Sequence, residues 1–125
     1  MKICITAEGK TADSPVDPRF GRCRNFIFIE TGTEDLEAIE NPHTKFRGGA
    51  GIQSAQLIVS KGAKAVLTGT VGPNALQTLD AAGIQVFVEV TGTVAEALKQ
   101  FNLGKLISAK DAGAGPDTGE GVRAT

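Results

Sequence analysis

The segment Asn25–Glu30, Asn-Phe-Ile-Phe-Ile-Glu, places the strictest constraint on how this chain folds. Successive side chains of an extended strand point to opposite faces, so the two phenylalanines lie on one face and the two isoleucines on the other. A strand that is apolar on both faces must be covered on both sides. The segment therefore predicts a sheet with helices packed on each face, a three-layer α/β/α arrangement.

Flanking segments supply the other elements of such a sheet. Thr93-Val94-Ala95-Glu96 matches a capping box, and glycines 62, 83 and 104 stand where helices would end. We find no internal repeat. The expected strands are 2–6, 25–30, 36–40, 65–68 and 84–90, and the expected helices are 52–61, one that begins at Pro73 and one that begins at Val94.

Connectivity brings several loops to one edge of this five-stranded mixed sheet. The tight turn at 31–33 makes the second and third strands an antiparallel hairpin with the third at an edge, and helical crossovers keep the later strands parallel. With the first strand antiparallel to the second, loops 19–24, 43–51, 69–72 and 90–93 share one edge, called the loop edge below. Ligands bind at such edges, and we expect three helix N-termini to offer unpaired amides there.

Length and composition predict one domain and a tail. The chain has 125 residues and 41% hydrophobic composition, enough for a single core, which we assign to residues 1–108. From 109 to 125 the sequence is mostly Gly, Ala, Asp, Pro and Thr, which predicts a disordered tail. We expect a monomer.

The same composition argues against several classes of partner. A net charge of −1 provides no general attraction for nucleic acid or an anionic membrane, and without Trp or Tyr there is no row of exposed rings for bases to stack on. No apolar run approaches the roughly 20 residues that span a bilayer. Two cysteines and a strand-like start without a leader predict a reduced, cytoplasmic protein.

Residues 16–24, Val-Asp-Pro-Arg-Phe-Gly-Arg-Cys-Arg, form a loop that we call the arginine loop. It carries three guanidinium groups, a thiol and an aromatic ring, and such concentrations of specific groups in loops are typical of binding sites. Arg19 and Arg22 flank Phe20 and Gly21 and are candidates to contact an anion, whereas a structural role is equally consistent with Arg24.

The two cysteines have different settings. Cys4 lies inside an apolar strand and reads as inert core. Cys23 is either a small hydrophobic residue at the start of a strand or a thiolate that neighbouring guanidinium groups favour, and both interpretations stay open.

Further candidates lie in the glycine-rich loops. His43, Lys45 and Arg47 precede a helix and read either as surface residues or as ligand contacts, while Gly49, Gly51, Gly69 and Gly72 would let backbone amides approach a ligand. Without a C-x-x-C pair, a structural zinc site is excluded. Residues 49–54 imitate only part of a dinucleotide fingerprint, so phosphate binding is a lesser alternative.

The chain resembles the dinitrogenase iron-molybdenum cofactor biosynthesis family. The resemblance extends from residue 1 to about residue 101 and rests on four motifs: Asp-Pro-Arg-Phe-Gly-Arg-Cys at 17–23, Ile-Glu-Asn-Pro at 39–42, Gly-Gly-Ala-Gly at 48–51 and Gly-Thr-Val-Gly-Pro-Asn-Ala at 69–75. It implies a ribonuclease-H-like fold with a five-stranded mixed sheet. It also implies a non-enzymatic protein that binds or carries an anionic metal–sulfur cluster.

That resemblance turns the candidates into a functional hypothesis. A cluster containing molybdenum, iron or both, which the isolated protein need not carry, would contact Arg19, Phe20, Gly21, Arg22 and Cys23 together with the candidates of the glycine-rich loops. Cys23 is the candidate metal ligand. Nitrogenase-associated members typically have a histidine where this chain has Arg19, and arginine holds anions by charge-assisted hydrogen bonds instead of coordinating metal.

Two other functions compete with cluster binding. The loop edge could instead dock a protein partner with no cofactor, as a regulatory or adaptor domain, and a partner in cluster assembly is compatible with either function. Nuclease activity is excluded because a two-metal site needs clustered carboxylates at strand ends, and the first strand carries only Lys2 and Thr6 as polar residues.

Overall fold

A computed structural model describes residues 1–42 and 50–112 of the chain. The predicted order of strands and helices is confirmed, with one strand added at its end. The strands are β1 (Lys2–Ala7), β2 (Asn25–Glu30), β3 (Leu36–Glu40), β4 (Ala65–Leu67), β5 (Gln85–Val88) and β6 (Ile107–Ser108), and the helices are α1 (Ala50–Ser60), α2 (Pro73–Ala81) and α3 (Val94–Asn102).

The strands form one mixed sheet in the order β3-β2-β1-β4-β5-β6. β2 pairs antiparallel with both β1 and β3, which confirms the predicted hairpin and the edge position of β3. β1 pairs parallel with β4, and β4 pairs parallel with β5. The carboxyl ends of β1, β3, β4 and β5 therefore point to the same edge, as the connectivity predicted.

The expectation of five strands is wrong, because the sheet has six. β6 pairs antiparallel with β5 over two residues, with Ser108 opposite Phe87. Two residues are too few to show the alternating pattern by which a strand is recognised in a sequence. The ribonuclease-H-like assignment stays a prediction.

Packing continues a little beyond β6. Ala109, which composition assigned to the tail, is 2% exposed, and its amide donates to the Val86 carbonyl at 2.7 Å. Ala112 packs against the same core. Residues 113–125 lie outside the described part of the chain, so the assignment of that segment as a tail stays a prediction.

The two faces of β2 belong to two separate cores, as the opening segment requires. Phe26 and Phe28 pack with residues of α1 and α2 on one face of the sheet, in a cluster that includes Ile58 and Leu79. Ile27 and Ile29 pack on the other face, where α3 contributes its apolar side through residues such as Val94 and Ala97. The three-layer α/β/α arrangement is confirmed.

The capping box of α3 is confirmed. Thr93 Oγ1 accepts the Glu96 amide at 3.1 Å, and the Glu96 carboxylate accepts the Thr93 amide at 2.8 Å. Gly62, Gly83 and Gly104 all have positive φ, as expected of residues that end helices. No helix in the described ranges is long and apolar enough to cross a membrane.

Thr93→Ala is expected to lower the free energy of unfolding by about 1 kcal/mol, because it leaves an α3 amide without its acceptor. Thr78→Ala is the matched control, since the exposed Thr78 hydroxyl only bonds back to the Asn74 carbonyl within α2. Urea denaturation of the three proteins measures both effects. Equal stability of the Thr93 variant and the wild type would contradict this role of the cap.

Candidate functional site

A buried carboxylate organises the arginine loop. Asp17 is 1% exposed, and its Oδ1 accepts the backbone amide of Arg19 at 3.1 Å while its Oδ2 accepts the amide of Arg24 at 3.3 Å. A carboxylate buried this deeply without hydrogen bonds would be strongly destabilising, and these two bonds replace those it would make to water. The carboxylate therefore ties together two backbone positions five residues apart and bends the loop around itself.

Hydroxyl groups beneath the loop hold the backbone of Asp17. Thr6 Oγ1 lies 2.7 Å from the Asp17 carbonyl oxygen and 2.8 Å from Thr68 Oγ1. The Asp17 amide donates to the Thr6 carbonyl at 2.9 Å. Both threonines are fully buried at the carboxyl ends of β1 and β4, so the loop is anchored directly to the centre of the sheet.

Asn41 fastens the far side of the loop from the end of β3. This side chain is 5% exposed, and its Nδ2 donates to the carbonyls of Gly21 at 3.2 Å and Cys23 at 2.9 Å. The Asn41 amide donates to the Arg24 carbonyl at 2.9 Å. The loop is thus held from β1, β3 and β4 together.

The loop at 69–72 runs beside the arginine loop, as predicted. The Thr70 amide donates to the Pro18 carbonyl at 2.7 Å, and the Phe20 amide donates to the Thr70 carbonyl at 3.1 Å. A Cβ on Gly69 would lie 2.6 Å from Pro18 Cα, so only glycine permits this approach. Gly72 caps α2 without contacts of this kind, since a Cβ there would meet nothing within 4 Å.

The start of α1 packs against the turn of the arginine loop, and the start of α2 packs against the start of α1. Gly21 has φ +91°, and a Cβ on it would lie 3.0 Å from Gly51 Cα in the first turn of α1. A Cβ on Gly51 would lie 3.3 Å from Ala75 Cβ in the first turn of α2. Neither first turn contains an acidic residue, so the partial positive charge of both helix starts is left uncompensated there.

The expectation that three helix N-termini offer unpaired amides at the loop edge is wrong for α3. The Val94 amide donates to the Ser14 carbonyl and the Ala95 amide to the Ala12 carbonyl, both at 2.9 Å. The capping box takes the next amide. The loop that follows β1 packs over the start of α3, and its carbonyl groups accept these amide hydrogen bonds. The sequence around α3 does not indicate this contact.

The arginine loop separates cationic from apolar groups. Arg19, Arg22 and Arg24 are exposed, whereas Phe20 and Cys23 are buried. The Phe20 ring packs against Phe26 with centroids 6.2 Å apart. Apolar contacts thus hold the loop from below and leave the guanidinium groups at the surface.

Arg19 is the best-defined cation of the site. Its side chain is 65% exposed, and its Nε lies 3.4 Å from Asp17 Oδ1. No acceptor for its two Nη atoms lies among the residues that the structure describes. Arg19 is also bridged to Thr70, which places it where the two loops meet.

Cys23 is buried in a setting that favours the neutral thiol. Burial, and then the nearby Asp17 carboxylate, raise the pKa of the Cys23 thiol to about 12. Hydrogen bonds from the amides of Gly21, Cys23 and Asn41 offset this only in part. The raised pKa favours the interpretation of Cys23 as a small hydrophobic residue. Burial likewise raises the pKa of the Cys4 thiol.

The structure therefore brings half of the twelve predicted site residues together. Arg19, Gly21, Gly51 and Gly69 converge, while Phe20 and Cys23 lie beneath the surface. Four further candidates from loop 43–51 fall outside the described residues: His43, Lys45, Arg47 and Gly49. Within residues 1–42 and 50–112, no group of three or more His, Cys, Asp or Glu side chains could hold a metal ion.

Sequence reasoning missed the residues that hold the site, Asp17 and Asn41. In the sequence, both residues stand out only as members of the motifs at 17–23 and 39–42. The detectable signal was the spacing, because an Asp side chain commonly accepts the amide two residues later, here that of Arg19. Nothing local to the sequence indicated that this carboxylate would be buried.

Comparisons with known proteins agree with this architecture. A family model described as dinitrogenase iron-molybdenum cofactor matches residues 1–104. An uncharacterized protein of Methanocaldococcus jannaschii is 32% identical over 109 residues, which are 85% of this chain and 89% of that protein. The apo form of the orange protein from Desulfovibrio gigas is 41% identical with a TM-score of 0.84, covering 86% of this chain and 92% of that one.

Gly69→Ala is expected to lower the free energy of unfolding by about 1–3 kcal/mol or more, because the new methyl group would overlap Pro18. Gly72→Ala is the matched control within the same loop and is expected to cost about 1 kcal/mol or less. Thermal or urea denaturation distinguishes them. Comparable losses in both variants would contradict the close approach of the two loops.

The raised pKa of Cys23 predicts a loss of stability at alkaline pH. Below pH 9.0 the thiol is protonated in both states, whereas between 9.0 and about 12 only the unfolded chain releases the proton. Stability should therefore fall as the pH rises through that window, by at most about 1.4 kcal/mol per pH unit from this group.

Urea denaturation at a series of pH values measures this loss, with Cys23→Ala as the control because it keeps Cys4 and every lysine. The variant should show the shallower decline. Parallel declines in the two proteins would contradict the raised pKa of Cys23.

Proposed function

The chain belongs to the dinitrogenase iron-molybdenum cofactor family, and on that premise we propose that it is a non-enzymatic carrier or scaffold for an anionic metal–sulfur cluster. The cluster is cargo, containing molybdenum, iron or both. It is held at the loop edge, on the surface where the arginine loop and the loop at 69–72 meet.

The exposed guanidinium group of Arg19, which contacts Asp17 through Nε, is the observation that carries this proposal. Asp17 contacts both the backbone amide and Nε of Arg19. The two Nη atoms of the guanidinium group make no hydrogen bond to the described residues. A guanidinium fork forms charge-assisted hydrogen bonds with anions, including terminal sulfide or oxo groups. Because Asp17 already orders the side chain, less conformational entropy is lost on binding.

The backbone around Arg19 also suits an anion. The starts of α1 and α2 meet at Gly21, Gly51 and Ala75, next to the contact between Arg19 and Thr70. Helix N-termini stabilise negative charge, and the glycines let these segments pack closely beside Arg19. Arg22 is exposed on the same loop and adds positive charge.

Charge, more than coordination, holds the cluster in this proposal. The Cys23 thiol is fully buried, and its pKa of about 12 keeps it protonated near neutral pH. Coordination through Cys23 stays a prediction, because it requires the arginine loop to open and Asp17 to move away. Arg19 requires no such rearrangement.

Binding of tetrathiomolybdate under anaerobic conditions tests the proposal. Arg19→Ala should weaken binding by roughly 10- to 100-fold, as expected for the loss of charge-assisted hydrogen bonds. The affinity of Arg19→Lys should lie between those of the wild type and Arg19→Ala, since lysine keeps the charge but lacks the planar pair of donors of a guanidinium group. Lys64→Ala is the control, because it removes an exposed cation at the start of β4, on the opposite edge of the sheet.

Titration calorimetry and the absorbance spectrum of the bound anion supply the readouts. Equal binding by wild type, Arg19→Ala and Lys64→Ala would overturn the assignment of the site. If wild-type protein bound neither tetrathiomolybdate nor an iron–sulfide cluster, the carrier function would fail, and the alternative of an adaptor that docks a protein at the loop edge would be favoured.

A further inference from the structure

The outer edge of β3 presents backbone groups that pair with no other strand among the described residues. The Glu30 amide donates to the Asp35 carbonyl and the Asn41 amide donates to the Arg24 carbonyl. Given the register of β2 and β3, the hydrogen-bonding groups of residues 35, 37, 39 and 41 therefore face β2. Those of Leu36, Ala38 and Glu40 face outward.

This open edge is acidic. Glu34, Asp35, Glu37 and Glu40 are all exposed, and only Glu37 has a described cationic partner, Lys61 at 3.4 Å. Proteins commonly protect an open edge with charged side chains, lysine above all, or with proline or a bulge. The five residues of β3 include two glutamates but no lysine or proline, so the charges of this edge disfavour pairing with an acidic strand and favour pairing with a basic one.

An apolar cleft lies beside the same strand. Leu36 is 38% exposed and Leu103 is 55% exposed, unusually high values for leucine side chains at the two sides of one cleft. The cleft measures about 340 Å³ and lies between β3 and α3. Its other lining residues include Ile29, Val94 and Leu98, with Glu34 and Lys99 among the charged ones.

We propose that the outer edge of β3 binds an extended, basic and apolar segment of a partner protein as an added strand. Its main chain pairs with the outward groups of Leu36, Ala38 and Glu40, and its cationic side chains lie on the face opposite the cleft, beside Asp35 and Glu37. Because side chains alternate along a strand, every second residue of the segment lies on the α3 side of the sheet, where the cleft accepts an apolar group.

Charge decides between this occupant and a second copy of the chain. Antiparallel pairing of two β3 edges would add the four exposed acids of one copy to the four of the other along a single pair of strands, and like charges at such short separations repel. A basic segment converts the same charges into attraction and speeds association. This surface is separate from Arg19 and the loop edge, so the inference does not depend on the cluster proposal.

Amide hydrogen exchange with the acetylated peptide Lys-Val-Lys-Val-Lys as the probe tests the inference. In the free protein the amides of Leu36, Ala38 and Glu40 should exchange fast and those of Glu37 and Ile39 slowly. Saturating peptide should slow the first set about tenfold, as expected when each amide gains one hydrogen bond. The peptide Glu-Val-Glu-Val-Glu should change neither set.

Ala38→Pro removes one outward donor without touching the ladder to β2, a position where proline is tolerated on an edge strand. It should abolish the protection. Should this variant not fold, the double variant Asp35→Asn/Glu37→Gln, which removes the acids on the face where the lysines lie, should weaken peptide binding several-fold, while the control Asp13→Asn/Glu89→Gln removes two exposed charges elsewhere and should not.

Three results would overturn the inference. One is peptide binding that leaves the exchange of Leu36, Ala38 and Glu40 unchanged, and another is the absence of any binding. The third is a dimer in sedimentation whose formation protects the same amides, because the edge would then pair two copies. Arg19→Ala should bind the peptide as the wild type does, which separates failure here from failure of the cluster proposal.

Discussion

The buried carboxylate of Asp17 is the interaction on which the described site depends. Burying a charged group is costly unless hydrogen bonds replace water, and here two main-chain amides of the same loop supply them. Thr6 at the carboxyl end of β1 then holds the backbone of Asp17, and the Thr68 hydroxyl next to β4 hydrogen-bonds to Thr6. A loop without regular secondary structure is thereby fixed to the centre of the sheet, with Arg19 at its surface.

One consequence of this anchor is a separation of charge across the loop. The guanidinium groups face outward, while the carboxylate and the Cys23 thiol lie beneath them. The same Asp17 that orients Arg19 for an anion also disfavours the Cys23 thiolate. The arrangement therefore suits an anion held by charge at the surface. Coordination by the Cys23 thiolate would require the arginine loop to open and Asp17 to move away.

Where local sequence and tertiary structure agree, short-range physics is the reason. The apolar faces of β2 require cover on both sides, the Thr93 capping box needs only four consecutive residues, and glycine at the end of a helix needs only its own backbone conformation. Where they disagree, the partner is distant in the chain. β6 exists because β5 offers an edge, and the α3 amides are taken by a loop about eighty residues earlier in the sequence.

By itself, the sequence determined the layers, the hairpin, the parallel direction of four strands and the edge at which the glycine and arginine loops meet. These follow from side-chain periodicity and from the handedness of crossovers, which local residues specify. Only the tertiary structure decided that Asp17 is buried, that Asn41 reaches the loop and that Cys23 stays neutral. Burial and desolvation depend on every element packed around a group, and no stretch of neighbouring residues encodes them.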